Sequence, residues 1–389
     1  MLNLRKNYQK NLFQILQKVI GKKKVALHEP YLFGNEKKYL NDCIKNNQLT
    51  YGKFNKQFEK SVCKFTKAKY CIGVVNGTSA LHLSLKLLGC NEKHEILVPA
   101  LTFVGTVNAI NYTGSHPHFI DSEKDFVNLD IVKLDKYLSK IAKLKKNKLY
   151  NKKTGRIIKA IIPVHTYGHP VNMDKLLILS KKFKLEIVED AAEGLGSYFK
   201  NKHVGTFGKL GIISFNGNKI ITTGGGGVIL TNNKTLAVKA KHLSTTAKVI
   251  KGYELVHNQI GYNYRISNIS SALGCAQMEN IKKILKLKRN LFRNYNKYVK
   301  KNSFFKLIKE PKNSKSNYWL QTILVESNLI YKKDQIINFL NSAGYSVRPA
   351  WKLINEIKPY KKKPKMNLDN AKLIQKKIIN IPSSPQILL

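Results

Sequence analysis

Residues 211–231 read GIISFNGNKIITTGGGGVILT. The apolar run Gly211 to Phe215 predicts a short buried strand; a polar turn then presents Lys219, followed by Gly224 to Gly227 and a second β-rich run. Ser214, Asn216 and Asn218 sit beside the lysine, and the four glycines remove every side chain just after it, which lets backbone approach a ligand closely. A lysine at the mouth of a sheet, in a partly dry pocket, can lose its proton and attack a carbonyl to form a Schiff base. Taken alone, the stretch also reads as a surface hairpin with a glycine-rich turn. It is not a phosphate loop of the usual kinds. It lacks the G-x-x-x-x-G-K-[ST] order, and a strand-like run follows where a dinucleotide fingerprint would open a helix.

Working outward, further strand candidates are Tyr70 to Val75, Glu95 to Val98, Pro117 to Asp121, Ile157 to Val164 and Leu185 to Glu189, with helical spacing between most of them. With the two runs of the opening stretch they make a mainly parallel seven-stranded sheet in an α/β fold covered on both faces. The run from Gly227 follows its predecessor too closely for a helical crossover, so it reads as antiparallel or as part of a longer excursion. The domain reading is a basic amphipathic arm over 1–27, a large domain over 28–250, and a bridging helix with a smaller C-terminal α/β domain over 251–389. In the last part a helix is expected from Met278 to about Lys301, strands over Trp319 to Val325 and Tyr345 to Arg348, and a helix over Lys333 to Ala343. The arm reads as packing on the body or a partner subunit, with a membrane-surface helix as the alternative. The lysine-rich segment between Ser139 and Arg156 is expected to be a solvated loop.

The 389 residues carry 69 basic and 23 acidic side chains, a formal charge of +46. Such an excess raises a nucleic-acid or anionic-surface partner. Nearly all of it is lysine, however, which marks a compositional bias more than a base-reading surface, where arginine is prominent; no specific nucleic-acid partner is expected. Five cysteines without a C-x-x-C pair indicate neither a disulfide framework nor a zinc site, which suits a reducing cytoplasm. No metal is expected, and no run is long and apolar enough to predict a transmembrane segment.

Ligands of open α/β sheets sit beyond the carboxyl ends of the strands. Asn76-Gly77-Thr78-Ser79 follows the first strand at a helix start, where free N–H groups and hydroxyls suit a phosphate. Thr102 and Phe103 follow the second, a hydroxyl and a flat aromatic face. Asp190 and Glu193 follow the fifth, and Ser214 and Lys219 the sixth. Each has a plain structural alternative, as a helix cap or a core residue. Together they describe one ligand, pyridoxal 5′-phosphate, whose protein partners are a Schiff-base lysine and an acid at the ring nitrogen.

The runs VNGTSALHLSL, VPALTFVGTVNAI, VEDAAEGLGS, SFNGNKIITTGGGG and GYNYRISN, in this order, resemble the sugar aminotransferases of the DegT/DnrJ/EryC1/StrS type, which act on nucleotide-linked keto-sugars. The likeness covers about His28 to Pro385. LHEPYLFGNEKKYL and the ending NIPSS look most like the aminotransferases of legionaminic acid and related amino-sugar pathways. The resemblance implies a homodimer of the aspartate aminotransferase-like fold, type I among pyridoxal phosphate-dependent transferases, with shared active sites. It makes Lys219 the Schiff-base lysine and Asp190 the partner of the ring nitrogen, with Phe103 stacked on the ring and Glu193 near its hydroxyl. Gly77, Thr78, Ser79 and Ser214 would hold the phosphate, joined by Asn263 from the second subunit. The implied reaction moves an amino group from L-glutamate to a nucleotide-linked 4-keto-6-deoxy sugar. Many relatives have histidine where Asn216 stands and glutamate where Gly225 stands, which bears on substrate geometry more than on cofactor attachment. A sugar dehydratase on the same fold is a rival, although such relatives typically replace the lysine. A basic polyanion- or membrane-binding protein is another.

Overall fold

A computed structural model describes residues 7–389, so the first six residues of the expected arm lie outside the described residues. Nine strands form the main sheet: β1 (Tyr70–Val74), β2 (His94–Pro99), β3 (His116–Ile120), β4 (Ala142–Lys145), β5 (Lys148–Asn151), β6 (Ile157–Ile161), β7 (Glu186–Asp190), β8 (Leu210–Ser214) and β9 (Gly227–Thr231). The seven expected strands lie in the order β1-β9-β8-β7-β6-β2-β3. Every residue of β2, β8 and β9 is buried, as strands covered on both faces require.

Only β9 opposes its neighbours on this path, pairing antiparallel with β1 and β8, while the other pairs are parallel. The short connection from Phe215 to Gly226 cannot carry a helix across the sheet, so the chain turns straight back. The carboxyl ends of β1, β2, β7 and β8 therefore share one edge, and β9 begins there.

The lysine-rich segment corrects the sequence reading. Instead of a solvated loop, β4 and β5 form a hairpin whose second strand pairs with the start of β6. Lys146 and Asn147 both adopt positive φ, 47° and 59°, the pairing that a two-residue hairpin turn demands. Leu149 and Asn151 point inward while Lys143, Lys145 and Lys148 face water, so abundant lysine hid a strand alternation.

A second hydrophobic core gathers an antiparallel sheet of Phe305–Leu307, Gln321–Val325, Ile378–Ile381 and Arg348–Pro349, in that order. The long helix expected from Met278 is found as Ile281–Val299, and a separate helix, Asn268–Glu279, precedes it with Asn280 between them. The strand expected from Tyr345 begins only at Arg348, and Tyr345 instead bridges to Val25. Helix Asn7–Ile20 buries Tyr8, Leu12, Ile15, Leu16 and Ile20 in this core against Leu291, Tyr295 and Phe305. Its apolar face is thus enclosed by protein and is not offered to a membrane surface. Among the described residues no helix is long and apolar enough to cross a bilayer.

Leu12 and Leu16 are fully buried. Leu16→Ala is expected to lower stability by about 2–5 kcal/mol, read as a shift in denaturant midpoint. Lys10→Ala on the exposed side of the same helix should stay within about 0.5 kcal/mol.

Candidate active site

The turn after β8 is closed by its own backbone: Phe215 N–H donates to Gly226 O at 2.8 Å, Thr223 N–H to Phe215 O at 2.9 Å, and Lys219 N–H to Asn216 O at 3.0 Å. Lys219 is held inward. Its Nζ lies 3.3 Å from Glu193 Oε1 and 3.9 Å from the centre of the Trp319 ring, with 14% of the side chain exposed.

Asp190 ends β7 and is buried. Its Oδ2 accepts from Thr106 Oγ1 at 2.7 Å and its Oδ1 from Ala192 N–H at 3.1 Å. Burial nevertheless pushes the carboxyl above its ordinary value, against the pull of those bonds and of Lys219. Glu193 accepts Tyr167 N–H at 2.7 Å, and burial raises its carboxyl too, opposed by Lys219. Tyr167 holds that N–H in place from a left-handed backbone, φ 55°.

Helix Gly77–Leu87 starts at the same edge. Asn76 Oδ1 caps Ser79 N–H at 2.7 Å, and the N–H groups of Gly77 and Thr78 in the first turn have no intrahelical acceptor. A Cβ on Gly77 would meet Ser214 Cβ at 3.0 Å, so the serine hydroxyl stands beside these donors. Phe103, 54% exposed, caps helix Val104–Tyr112 above the cavity. Gly105 beneath it has no room for a side chain: a Cβ would meet Thr78 Oγ1 at 2.8 Å and Phe103 Cε1 at 2.9 Å.

Gly77, Thr78, Phe103, Asp190, Glu193, Ser214 and Lys219 thus line one cavity of about 420 Å³, together with Thr106, Trp319, Arg348 and Trp351. Two expected residues stand apart from its lining. The Ser79 side chain turns to Tyr264, and Asn263 is exposed, bridged to Thr245.

The model of the DegT/DnrJ/EryC1/StrS aminotransferase family matches residues 31–388. The chain belongs to this family. GDP-perosamine synthase of Escherichia coli O157:H7 is 34% identical over 94% of both chains. The UDP-4-amino-4,6-dideoxy-N-acetyl-beta-L-altrosamine transaminase of Campylobacter jejuni serotype O:23/36 is 34% identical over 88% of each. Among solved structures, Helicobacter pylori PseC, an aminotransferase involved in the biosynthesis of pseudoaminic acid, superposes with a TM-score of 0.84 at 27% identity, covering 94% of this chain and 95% of that one.

Pyridoxal 5′-phosphate is the cofactor of this aminotransferase, and the residues present fit it. Among the described residues no cation lies within ion-pair distance of Asp190. A protonated ring nitrogen is the partner that a buried carboxyl with a raised pKa lacks. The donors of Gly77 and Thr78 beside Ser214 suit a phosphate, and Phe103 offers an open aromatic face.

Thr106, Tyr167, Trp319, Trp351 and Arg348 escaped the sequence reading. Only Thr106, one helical turn after Thr102 and bonded to it, carried a local signal. Nor is the glycine run a single requirement. Gly224 needs its φ of 78°, a Cβ on Gly226 would meet Thr223 Oγ1 at 2.1 Å, and one on Gly227 would meet the Asn76 carbonyl carbon at 2.6 Å. Two of the glycines therefore make room for protein, not for a ligand. Gly225 meets only Val75 O, at 3.9 Å, so a Cβ fits there without a clash.

Gly225→Ala should leave the thermal midpoint nearly unchanged, while Gly227→Ala costs about 1–3 kcal/mol through overpacking. A pH test follows from the two carboxyls. Raised folded-state values mean that the folded, cofactor-free protein binds these protons more readily than the unfolded chain. Their stabilisation is therefore present in acid and lost as pH rises through the folded values. The stability of wild type relative to Asp190→Asn should accordingly increase as pH is lowered from neutral, and a difference constant with pH would contradict it.

Proposed function

We propose that this aminotransferase transfers an amino group from L-glutamate to a nucleotide-linked 4-keto-6-deoxy sugar. The product is a 4-amino sugar for a surface glycan, of the legionaminic acid or a related amino-sugar type, and the enzyme works as a cytoplasmic homodimer. The observation that carries the reading is the placement of Lys219 beside Glu193 in one cavity with Asp190, Phe103 and the open helix start at Gly77. The names of the perosamine, altrosamine and pseudoaminic acid relatives support a nucleotide-linked amino sugar as product.

Bound there, the cofactor supplies an electron sink and carries the amino group between the two half-reactions. Asp190 holds the ring nitrogen protonated, because a neighbouring carboxylate favours the charged form. Phe103 would stack on the ring, and Glu193 would lie near its hydroxyl. Gly77, Thr78 and Ser214 would hold the phosphate, without Ser79, whose N–H is taken by Asn76 and whose hydroxyl turns to Tyr264, and Asn263 would reach it from the second subunit. Lys219 Nζ would anchor the cofactor, and its free amine would hold and move the proton at the reacting carbon. Arg348, at the rim, is a charge-assisted donor for the sugar diphosphate. The exposed apolar residues Ile250, Tyr253, Leu255 and Ile260, on and after the hairpin Lys248–His257, support the dimer, because a second copy would cover them next to Asn263. Intact Lys219 weighs against the dehydratase reading.

The test is absorption spectroscopy of the purified protein with pyridoxal phosphate, before and after L-glutamate, followed by mass spectrometry with a nucleotide-linked 4-keto-6-deoxy sugar. A visible band of lysine-bound cofactor that glutamate bleaches, absent in Lys219→Ala, and an aminated sugar are the expected results. A band that glutamate leaves unchanged would rule out this donor, and no band at all would rule out the reaction.

A further inference from the structure

Asn317 and Trp319 lead into strand Gln321–Val325 of the second core, yet they reach back to the segments that follow β7 and β8. Asn317 Nδ2 donates to Glu193 O at 2.7 Å and to Leu195 O at 2.9 Å, and its N–H donates to Ser197 Oγ at 3.0 Å. Asn317 Oδ1 accepts Trp319 N–H at 2.8 Å. Trp319 Nε1–H donates to Asn218 O at 2.7 Å, one residue before Lys219, whose Nζ lies over the same ring. Two successive residues are thus bound to one indole, the first by its carbonyl and the second by its ammonium.

The Trp319 main chain is held as well: its backbone carbonyl accepts from Lys288 Nζ at 2.8 Å, and that lysine, fully buried in helix Ile281–Val299, also donates to Ser383 O. His28, buried, flanks the indole at 6.4 Å between ring centres. The charged and titratable groups around Lys219 Nζ are therefore Glu193, Asp190 and His28, with Lys288 further off at the Trp319 backbone carbonyl.

We infer that Trp319 is a positioning residue for Lys219, its indole face seating the free ε-amine whenever the lysine is not bonded to the cofactor. A cation at this distance from an indole face is attracted by the ring quadrupole, more so where water is excluded. The lysine stem would otherwise sample many rotamers once released. Seated on the ring, the amine stays at the height of Glu193, ready to hold or return a proton. The inference rests on the role proposed for Lys219.

The chain has two tryptophans, so Trp351→Phe leaves Trp319 as the sole emitter. In that protein, free of cofactor, Lys219→Met should change Trp319 emission because it takes the ammonium off the ring face, whereas Glu193→Gln, which leaves the amine in place, should change it less. Emission unchanged in Lys219→Met would overturn the inference. In the Trp351-intact protein, Trp319→Leu should slow cofactor attachment, followed by the visible band, about tenfold, while Trp319→Phe stays nearer wild type because it keeps a ring. Both lose the Asn218 bond, so the difference isolates the ring, and circular dichroism confirms the fold. Equal rates in all three proteins would refute the seating role and leave the aminotransferase reading intact. Failure of wild type to form the band would sink that reading, while the emission comparison would still decide the contact between Trp319 and Lys219.

Discussion

Gly227 enters the sheet between Val74 and Ser214 with a backbone so close to Asn76 that no side chain fits. The rest of the site depends on this close approach. It puts β9 between β1 and β8, which brings the helix start at Gly77 against Ser214 and returns the chain so that Lys219 hangs over the edge where β7 ends in Asp190. A wider spacing would separate the phosphate donors from the lysine. The antiparallel strand in an otherwise parallel path is the consequence of a connection too short for a helix.

The cavity so formed concentrates charge in a poorly solvated place. Asp190 and Glu193 are buried with raised carboxyl values, and Lys219 faces one of them across 3.3 Å. Such groups are costly to bury without partners, and the structure meets the cost in part through Thr106, Ala192 and Tyr167. The remaining imbalance is what a cationic ring nitrogen would relieve. Binding and stability are therefore coupled at this edge.

The two cores are joined through the site. Asn317 and Trp319 belong by sequence to the smaller sheet, but their polar groups hold the segments carrying Glu193 and Lys219. The N-terminal helix completes the second core from the opposite end of the chain. The excess of lysine serves none of these contacts except at Lys219 and the buried Lys288, and most of it stands in water.

Much of this was legible in the residues themselves. Apolar runs of strand length and helical spacing between them are local properties, so the seven strands, though not their order, and the edge bearing Gly77, Phe103, Asp190, Ser214 and Lys219 were legible in the sequence. Where lysine replaced the polar half of an alternation, as in β4 and β5, the pattern was too faint to read. Tertiary structure alone decided which glycines face protein and which face open space, that Ser79 turns toward Tyr264, and that Trp319 lies over Lys219. Those outcomes depend on contacts between residues a hundred or more positions apart, such as Lys219 with Trp319 and Ser79 with Tyr264, and the local sequence carries no record of them.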